Sequence, residues 1–287
     1  MRNDNNNYEE EPPSYDHAFQ SNIDPDNQVY RLGKFRDASF NSFERGEIFV
    51  QAFSTQIDTF PKEQAQEIGQ RGLVNTIHID VNIQNNQLFR HPKASPQSHA
   101  YAAQQQDIIR FWPGINPNSG PLEDFDTVAI GSHPLLRISE YNGQNKHDSQ
   151  TMTHHYFEIT IQQASADVVM AIGLCTKPYP IFRMPGWNKF SVGYHSDDGH
   201  KFCDDATGGQ TYGPSWTVGD TVGCLYAPET GCVTFTLNGM IVGEAFSGLT
   251  RHHYFPCVGA DGPAQIQVNF GIQPFKFNIP NWAGQFV

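Results

Sequence analysis

Titratable side chains are concentrated in one short stretch of the chain. The stretch contains His195, Asp197, Asp198, His200, Cys203, Asp204 and Asp205. Imidazole, thiolate and carboxylate groups are the common protein ligands of metal ions. Their spacing here matches neither a zinc finger nor the loop of an EF-hand, and Asp198-Gly199 is typical of a hairpin turn. We therefore predict that the chain holds no metal and requires no cofactor.

Signatures of common catalytic sites are missing from the sequence. It contains no Gly-x-Ser-x-Gly nucleophile elbow, no His-Glu-x-x-His motif and no phosphate-binding loop. The five cysteines include no Cys-x-x-Cys pair, and we interpret them as reduced thiols of a cytoplasmic protein. These observations predict that the chain is not an enzyme.

The net charge of −12 is unevenly distributed. Residues 1–28 hold seven acidic residues and one basic residue, a net charge of −6, and few aliphatic residues. Such a segment cannot bury enough apolar area to offset the entropy of ordering, so we predict a disordered tail. Because no basic stripe is present, nucleic acid and anionic lipid are not expected partners.

The segments that follow this tail have mixed patterns. Residues 29–67 are interpreted as a mixed extension, in which Ile48–Phe53 fits either a strand or a short helix. Pro61 before Lys62–Ile68 predicts a helix that Gly69 and Gly72 close. The strict alternation of Ile77–Ile83 predicts a half-buried strand. We interpret residues 84–106 as a loose insertion.

Short apolar segments separated by Gly- and Pro-bearing turns dominate the rest of the chain. Strands are predicted at Tyr156–Ile161, Val168–Leu174, Ser191–Tyr194, Thr221–Tyr226, Val233–Leu237, Met240–Val242, Tyr254–Val258 and Ile266–Phe270. Asn238-Gly239 predicts a type I′ hairpin. In the pairing expected for these strands, Cys224 lies nearer Phe235 than Cys232, so we expect no disulfide between the two cysteines. The pattern favours an antiparallel sandwich.

Several of these segments, in this order, resemble the signature strands of the SPRY domain. They are Tyr156–Ile159, Ala171–Leu174, Gly219–Cys224, Val233–Gly239, Phe255–Gly259 and Val268–Gly271. The resemblance implies an all-β fold, an antiparallel two-sheet SPRY β-sandwich. We assign the domain to residues 68–279, with its core at 107–279, followed by a C-terminal tail at 280–287.

Within the domain the sequence is most similar to fungal SPRY adaptors of Nedd-type HECT ubiquitin ligases. The similar segments are Thr176–Pro180, Phe182–Trp187, Ser191–Phe202, Tyr212–Pro214 and Ala245–Leu249. Those adaptors combine a client-binding SPRY domain with PPxY motifs that engage WW domains of the ligase. Pro12-Pro13-Ser14-Tyr15 is such a motif. A disordered tail could present it to an aromatic groove as an extended segment.

The chain departs from these adaptors in two respects. They have an N-terminal transmembrane anchor, whereas the longest apolar run here, Val168–Cys175, is far too short to cross a membrane. Their PPxY motifs tend to follow the SPRY domain, whereas this motif precedes it. We expect a cytoplasmic protein without a membrane span, which a membrane-protein client could recruit to endosomal or vacuolar membranes.

The resemblance also implies a client-binding rim on the loops of the sandwich. We assign Tyr179, Phe182, Arg183 and Asp261 to this rim. Pro178 and Pro180 beside them could equally serve only to form a turn. Aromatic residues nearby, Trp187, Tyr194 and Phe202, are interpreted as core. The pairs His154-His155 and His252-His253 are predicted to face solvent.

Two other classes of function remain open. The first is a SPRY scaffold without a ubiquitin-ligase partner, as in scaffolds of the Ran-binding type. The second is a sugar-binding or hydrolytic sandwich, although no residue constellation specifically favours it. Binding of WW domains or of glycans would discriminate among the three.

Overall fold

The computed structural model describes residues 40–80, 101–105, 107–112, 126–143, 153–278 and 285–286. Helices span Phe40–Phe53 (α1), Lys62–Arg71 (α2), Leu73–Thr76 (α3) and Ile138–Tyr141 (α4). The first fourteen strands are β1 (Ile79–Asp80), β2 (Tyr101–Gln105), β3 (Ile108–Trp112), β4 (Thr127–Gly131), β5 (Thr153–Ala164), β6 (Met170–Cys175), β7 (Ser191–His195), β8 (His200–Cys203), β9 (Gln210–Thr211), β10 (Thr221–Ala227), β11 (Cys232–Leu237), β12 (Met240–Phe246), β13 (Phe255–Ala260) and β14 (Ala264–Asn269). A short strand β15 (Gln285–Phe286) pairs in parallel with β5.

The other strands form two antiparallel sheets. The first sheet has the strand order β1-β4-β13-β6-β7-β8-β9, and the second has the order β12-β11-β10-β5-β14-β3-β2. Their inner faces enclose one apolar core, to which Ile172 and Leu174 contribute from the first sheet and Ile159 and Phe235 from the second. The predicted two-sheet sandwich is confirmed.

The two sheets differ in how their outer faces are covered. Every residue of β4, β6, β7 and β13 in the first sheet is buried, whereas burial alternates along β14 in the second. Since successive side chains point to opposite faces of a strand, uninterrupted burial requires cover on both sides. Residues 176–190 and α1 provide this cover, as described below.

All eight strands predicted after residue 107 are present, with ends that shift by a few residues. The Asn238-Gly239 turn has φ values of 52° and 83°, as a type I′ hairpin requires. Cys224 lies opposite Phe235 in the β10–β11 register, and no disulfide joins it to Cys232. Both predictions are confirmed.

The described segments before residue 107, at 40–80 and 101–105, are more regular than their sequence indicates. The stretch at 48–53, which fitted either a strand or a helix, is the end of α1. Gly72 caps α2 as predicted, but Gly69 lies inside the helix. Only Ile79 and Asp80 of the predicted strand at 77–83 form β1 among the described residues. Residues 101–105, assigned to a loose insertion, form strand β2, which corrects that part of the prediction.

Helix α2 is amphipathic and packs on the sandwich with one face. Ala65 and Ile68 are buried in the main core, where Tyr141 of α4 also lies. The remaining positions of α2 are exposed. The helix is therefore held by tertiary packing, as expected for a segment of only ten residues. The boundaries assigned to the extension and the domain stay predictions.

Candidate interaction surface

The loop between β6 and β7, residues 176–190, lies across the outer face of the first sheet. The amide of Val128 in β4 donates to the carbonyl of Ile181 over 2.9 Å. Met184 and Trp187 pack with Val169 and Ala171 in an apolar cluster on this face. The loop is thus anchored along its length, and its shape is set by the sheet beneath it.

Tyr179, the first of the four predicted rim residues, is 2% exposed. Its hydroxyl donates to the carbonyl of Met184 over 2.8 Å and accepts from the amide of Asn188 at 3.3 Å. Burial raises the pKa of this phenol well above its ordinary value, so the side chain stays neutral. Tyr179 organises the loop from inside.

Arg183 is 1% exposed and forms the link between the loop and α1. Its Nη1 donates to Oγ of Ser42 at 3.2 Å, and its Nη2 donates to the carbonyl of Trp187 at 2.8 Å. The guanidinium also lies 6.0 Å from the ring centre of Phe43 and 5.8 Å from that of Trp187. Aromatic faces and hydrogen bonds thus surround this buried cation.

Helix α1 covers the part of the loop that faces outward. The guanidinium of Arg45 lies 4.2 Å above the centre of the Phe182 ring. Lys189 and Glu47 form an ion pair of 3.4 Å at the surface. Phe182 itself remains half-buried, and it is the predicted loop residue that stays accessible.

Asp261, the fourth predicted residue, fixes the turn between β13 and β14. Its amide donates to the carbonyl of Val169 at 3.0 Å, and its Oδ1 accepts from the amide of Val169 at 2.7 Å. The turn lies close to the loop, since a Cβ on Gly259 would lie 2.6 Å from Cδ of Pro185. The structure therefore brings the two predicted parts of the rim to the same region of the first sheet.

The accessible part of this region is smaller than the sequence implied. Tyr179 and Arg183 are buried, and Phe182 and Asp261 are half-buried. Contact of these residues with a client stays a prediction. The contribution of α1 was missed, although Phe49 and Phe53 are four residues apart and could have indicated a helix face.

The titratable stretch around His195 serves the fold. His195 is 1% exposed, its Nε2 lies 2.8 Å from the carbonyl of Pro185, and burial lowers its pKa to about 4. Asp198 accepts from the amide of His200 within the β7–β8 turn. Among the described residues, no group of three or more His, Cys, Asp or Glu is placed to hold a metal ion.

The aromatic residues near the loop are buried, which confirms their interpretation as core. Trp187, Tyr194 and Phe202 are between 0% and 5% exposed. The prediction for the histidine pairs was wrong for His155, which is 1% exposed and lies with Nε2 2.7 Å from the carbonyl of Leu136. Sequence alternation alone could not show that the second sheet buries this position.

The second histidine pair ties the segment after α1 to the sandwich. Nδ1 of His252 lies 2.7 Å from Oδ2 of Asp58, and the amide of His253 donates to Oδ1 of Asp58 at 2.7 Å. The ring of His253 lies 3.3 Å from Oε1 of Glu140. Both histidines are only partly exposed and are held by carboxylates, so the prediction that they face solvent was wrong.

The WW-ligand motif Pro12-Pro13-Ser14-Tyr15 lies outside the described residues. The same holds for most of the insertion at 84–106 and of the tail at 280–287. No helix in the described parts of the chain is long and apolar enough to cross a membrane.

The residues of this chain that match a protein-family model lie within the sandwich. Residues 154–273 match the family model of the SPRY domain. Ran-binding protein 10 of Danio rerio is 34% identical over 197 residues, which cover 62% of this chain and 32% of that protein. Protein ssh4 of Sclerotinia sclerotiorum is 41% identical over 131 residues, which cover 45% of this chain and 25% of that protein.

These matches thus span a quarter to a third of the length of the two curated relatives. Among solved structures, a human SPRY domain is 24% identical, with a TM-score of 0.45, and the alignment covers 60% of this chain and 97% of that chain.

Proposed function

Because this chain carries a SPRY domain, we propose that it is a non-catalytic adaptor that joins a client protein to a ubiquitin ligase. The sandwich binds the client, and Pro12, Pro13 and Tyr15 recruit the WW domains of a Nedd-type HECT ligase. The observation that carries the proposal is the occurrence of a PPxY motif and a SPRY domain in one chain. Transfer of ubiquitin then depends on proximity, because a shared scaffold raises the effective concentration of client near ligase.

On the client side, the proposal rests on the region between the β6–β7 loop and the β13–β14 turn. Loops on a rigid scaffold often carry binding residues, and this loop is held rigid by the hydrogen bonds of Tyr179 and Arg183. Phe182 and Asp261 are the rim residues exposed enough to contact a client directly. Tyr179 and Arg183 then act indirectly, by fixing the shape of the rim.

On the ligase side, the two prolines supply an extended backbone, and Tyr15 supplies a side chain for a second WW pocket. The acidic flank Glu9-Glu10-Glu11 steers the motif toward basic WW surfaces. The resemblance of segments such as Ser191–Phe202 to fungal SPRY adaptors leads us to propose that the client is a membrane protein sorted at endosomal or vacuolar membranes.

Calorimetric titration of the full chain with WW domains of a Nedd-type ligase tests the ligase arm. We expect saturable binding that Tyr15→Ala abolishes. Tyr8→Ala is the matched control, since it removes the other tyrosine of the same acidic tail and should leave the affinity unchanged. Equal binding by the Tyr15 variant and the original chain would refute the ligase arm.

One observation favours a second candidate, a SPRY scaffold without a ligase partner. The alignment with Ran-binding protein 10 covers more of this chain than the alignment with Protein ssh4, 62% against 45%. Under this alternative the sandwich binds its client, but WW domains do not bind the chain. The same titration therefore separates the two candidates.

A further inference from the structure

A recess at the end of the second sheet, where β5 ends and β14 begins, is a second place where a ligand could bind. It has a volume of about 410 Å³ and is lined among others by Arg110, Gln163, Ser165, Pro263 and Gln265. This volume falls within the range of small-ligand sites in proteins. None of the described residues that line it belongs to the β6–β7 loop, which covers the other sheet.

Three adjacent strands position the polar side chains of this recess. Arg110 of β3 lies opposite Gln265 of β14, and Gln265 lies opposite Gln163 of β5. Residues paired in register point to the same face of a sheet, so the three side chains form a row. Ile109 and Phe111, the strand neighbours of Arg110, are buried in the core on the other face.

Arg110 lacks an acceptor within the described part of the chain. Its Nε is buried and has no hydrogen-bond partner there. The nearest carboxylate along the strand belongs to Asp107, and it accepts a hydrogen bond of 2.6 Å from Nε2 of Gln267. A buried donor on a permanent cation is costly to leave unsatisfied, so this guanidinium favours an anionic acceptor.

The two glutamine amides of the row are hydrogen-bonded to each other. Nε2 of Gln265 donates to Oε1 of Gln163 at 2.7 Å, which orients the pair. Gln265 therefore lies between Gln163 and Arg110 in the row, and it is the amide next to the guanidinium. A planar, forked guanidinium suits a carboxylate, which accepts two parallel hydrogen bonds from it.

We propose that the Arg110 recess binds the side-chain carboxylate of an acidic residue in an extended segment of the client. This inference rests on the proposed function, since it takes the occupant to be a client peptide. Pro263 lines the recess and follows Asp261 by two residues, so a client that contacts the predicted rim at Asp261 passes the recess. The recess thus adds a charged anchor beside the β13–β14 turn, the part of the rim that borders the second sheet.

A titration followed by nuclear magnetic resonance of arginine side chains tests the inference on the full chain. The Nε–H signal of Arg110 is assigned by its loss in Arg110→Lys. The probe is a blocked tripeptide with a central glutamate, and the matched control probe carries glutamine in its place. We expect the glutamate peptide to shift the Arg110 signal saturably and the glutamine peptide to leave it unchanged.

Variants and a third probe make the assignment specific. In Arg110→Gln, the side-chain amide signals of Gln163 and Gln265 should report an affinity at least about tenfold weaker, because a hydrogen-bonded charge is lost. Free glutarate should bind more weakly than the blocked peptide, because it lacks the peptide backbone. The proposal would be overturned if the glutamate peptide does not shift the Arg110 signal, or if the glutamine peptide shifts it equally. It would also be overturned if Arg110→Gln leaves the affinity unchanged, or if glutarate binds more tightly than the blocked peptide.

The experiment is independent of the ligase arm, because it uses neither WW domains nor an intact client. If the glutamate peptide fails to bind while Tyr15-dependent WW binding persists, only the acidic anchor is wrong. If the peptide binds Arg110 and WW domains do not bind, the recess stands and the ligase partner fails.

Discussion

Nη1 of Arg183 donates to Oγ of Ser42 over 3.2 Å, across 141 positions of the sequence. Both residues are at most 1% exposed. The contact joins the β6–β7 loop to α1, so the helix that precedes the sandwich belongs to the same packed structure. The shape of the proposed client rim therefore depends on a segment that lies outside the residues matching the SPRY family model.

Replacing Arg183 by alanine should destabilise the protein strongly. The change removes two hydrogen bonds of a buried cation and leaves a cavity between α1 and the loop, and we expect a loss of about 3 kcal/mol in the free energy of unfolding. Urea denaturation measures this loss in the free energy of unfolding. Arg45→Ala is the control, since a cation above the half-exposed Phe182 ring should contribute about 0.5–1 kcal/mol. Equal losses in the two variants would contradict the linking role of Arg183.

Acidification should destabilise the fold through His195. Burial lowers the pKa of this imidazole from 6.5 to about 4, so the unfolded chain binds a proton that the folded chain excludes. The stability it contributes is complete above pH 6.5 and is lost as the pH falls toward 4, by about 3 kcal/mol in total. Urea midpoints between pH 7 and pH 4 should fall less steeply in His195→Gln than in the original chain. His17→Gln, in the acidic tail, should keep the original slope, and parallel curves for all three proteins would exclude the effect.

The ion pair between Glu140 and His253 should stabilise the fold only within a limited pH range. The hydrogen bond to Glu140 raises the pKa of His253 above 6.5, so its contribution is complete below that pH and is lost as the pH rises through the folded value. Burial opposes the ionisation of Glu140, but the hydrogen bond with His253 lowers its pKa below 4.5, and that contribution is lost as the pH falls. Glu140→Gln should therefore cause its largest loss in the free energy of unfolding between about pH 4.5 and 6.5, and only a small loss at pH 9.

Glutamine is a suitable replacement at position 140 because its side-chain oxygen can still accept the hydrogen bond that the amide of Arg137 donates to Glu140 Oε2. His253→Gln should give the same pH profile, since it removes the other half of the pair. If Glu140→Gln instead lowers the free energy of unfolding equally at every pH, the cause is the hydrogen bond between Glu140 and the amide of Arg137 at the start of α4.

Four of the five cysteines should react slowly with alkylating reagents. Cys175, Cys224 and Cys257 are fully buried, and burial raises the pKa of Cys224 and of Cys257. Cys203 is exposed, but partial burial of its thiol and the nearby Asp204 raise its pKa to about 11, so little thiolate forms at neutral pH.

Intact mass after iodoacetamide treatment at pH 7.5 measures this reactivity. We expect no modification of the three buried thiols in the native protein, and modification of all five in urea. Fast native labelling at any of these four thiols would reveal an activated cysteine and would argue against the prediction that the chain is not an enzyme.

The sequence by itself determined the sandwich and its strands. The Asn238-Gly239 turn and the alternation along segments such as Val233–Leu237 depend on local backbone preferences and on the two-residue period of strands. These properties are encoded in neighbouring residues, so the strand positions could be predicted to within a few residues. The order of these segments also indicated the SPRY domain.

Tertiary structure alone decided which polar side chains are available to a partner. Tyr179, Arg183 and His155 are in sequence contexts compatible with exposure, yet each is buried. Tyr179 packs against Val128 and Phe255 of the first sheet, and the hydrogen-bond partners of Arg183 and His155 are Ser42 and the carbonyl of Leu136. Arg110 is the reverse case, since the strand that carries it is otherwise apolar and only sheet pairing places it beside Gln265, which in turn lies beside Gln163. Burial and pairing are properties of contacts between distant residues, and local sequence does not specify them.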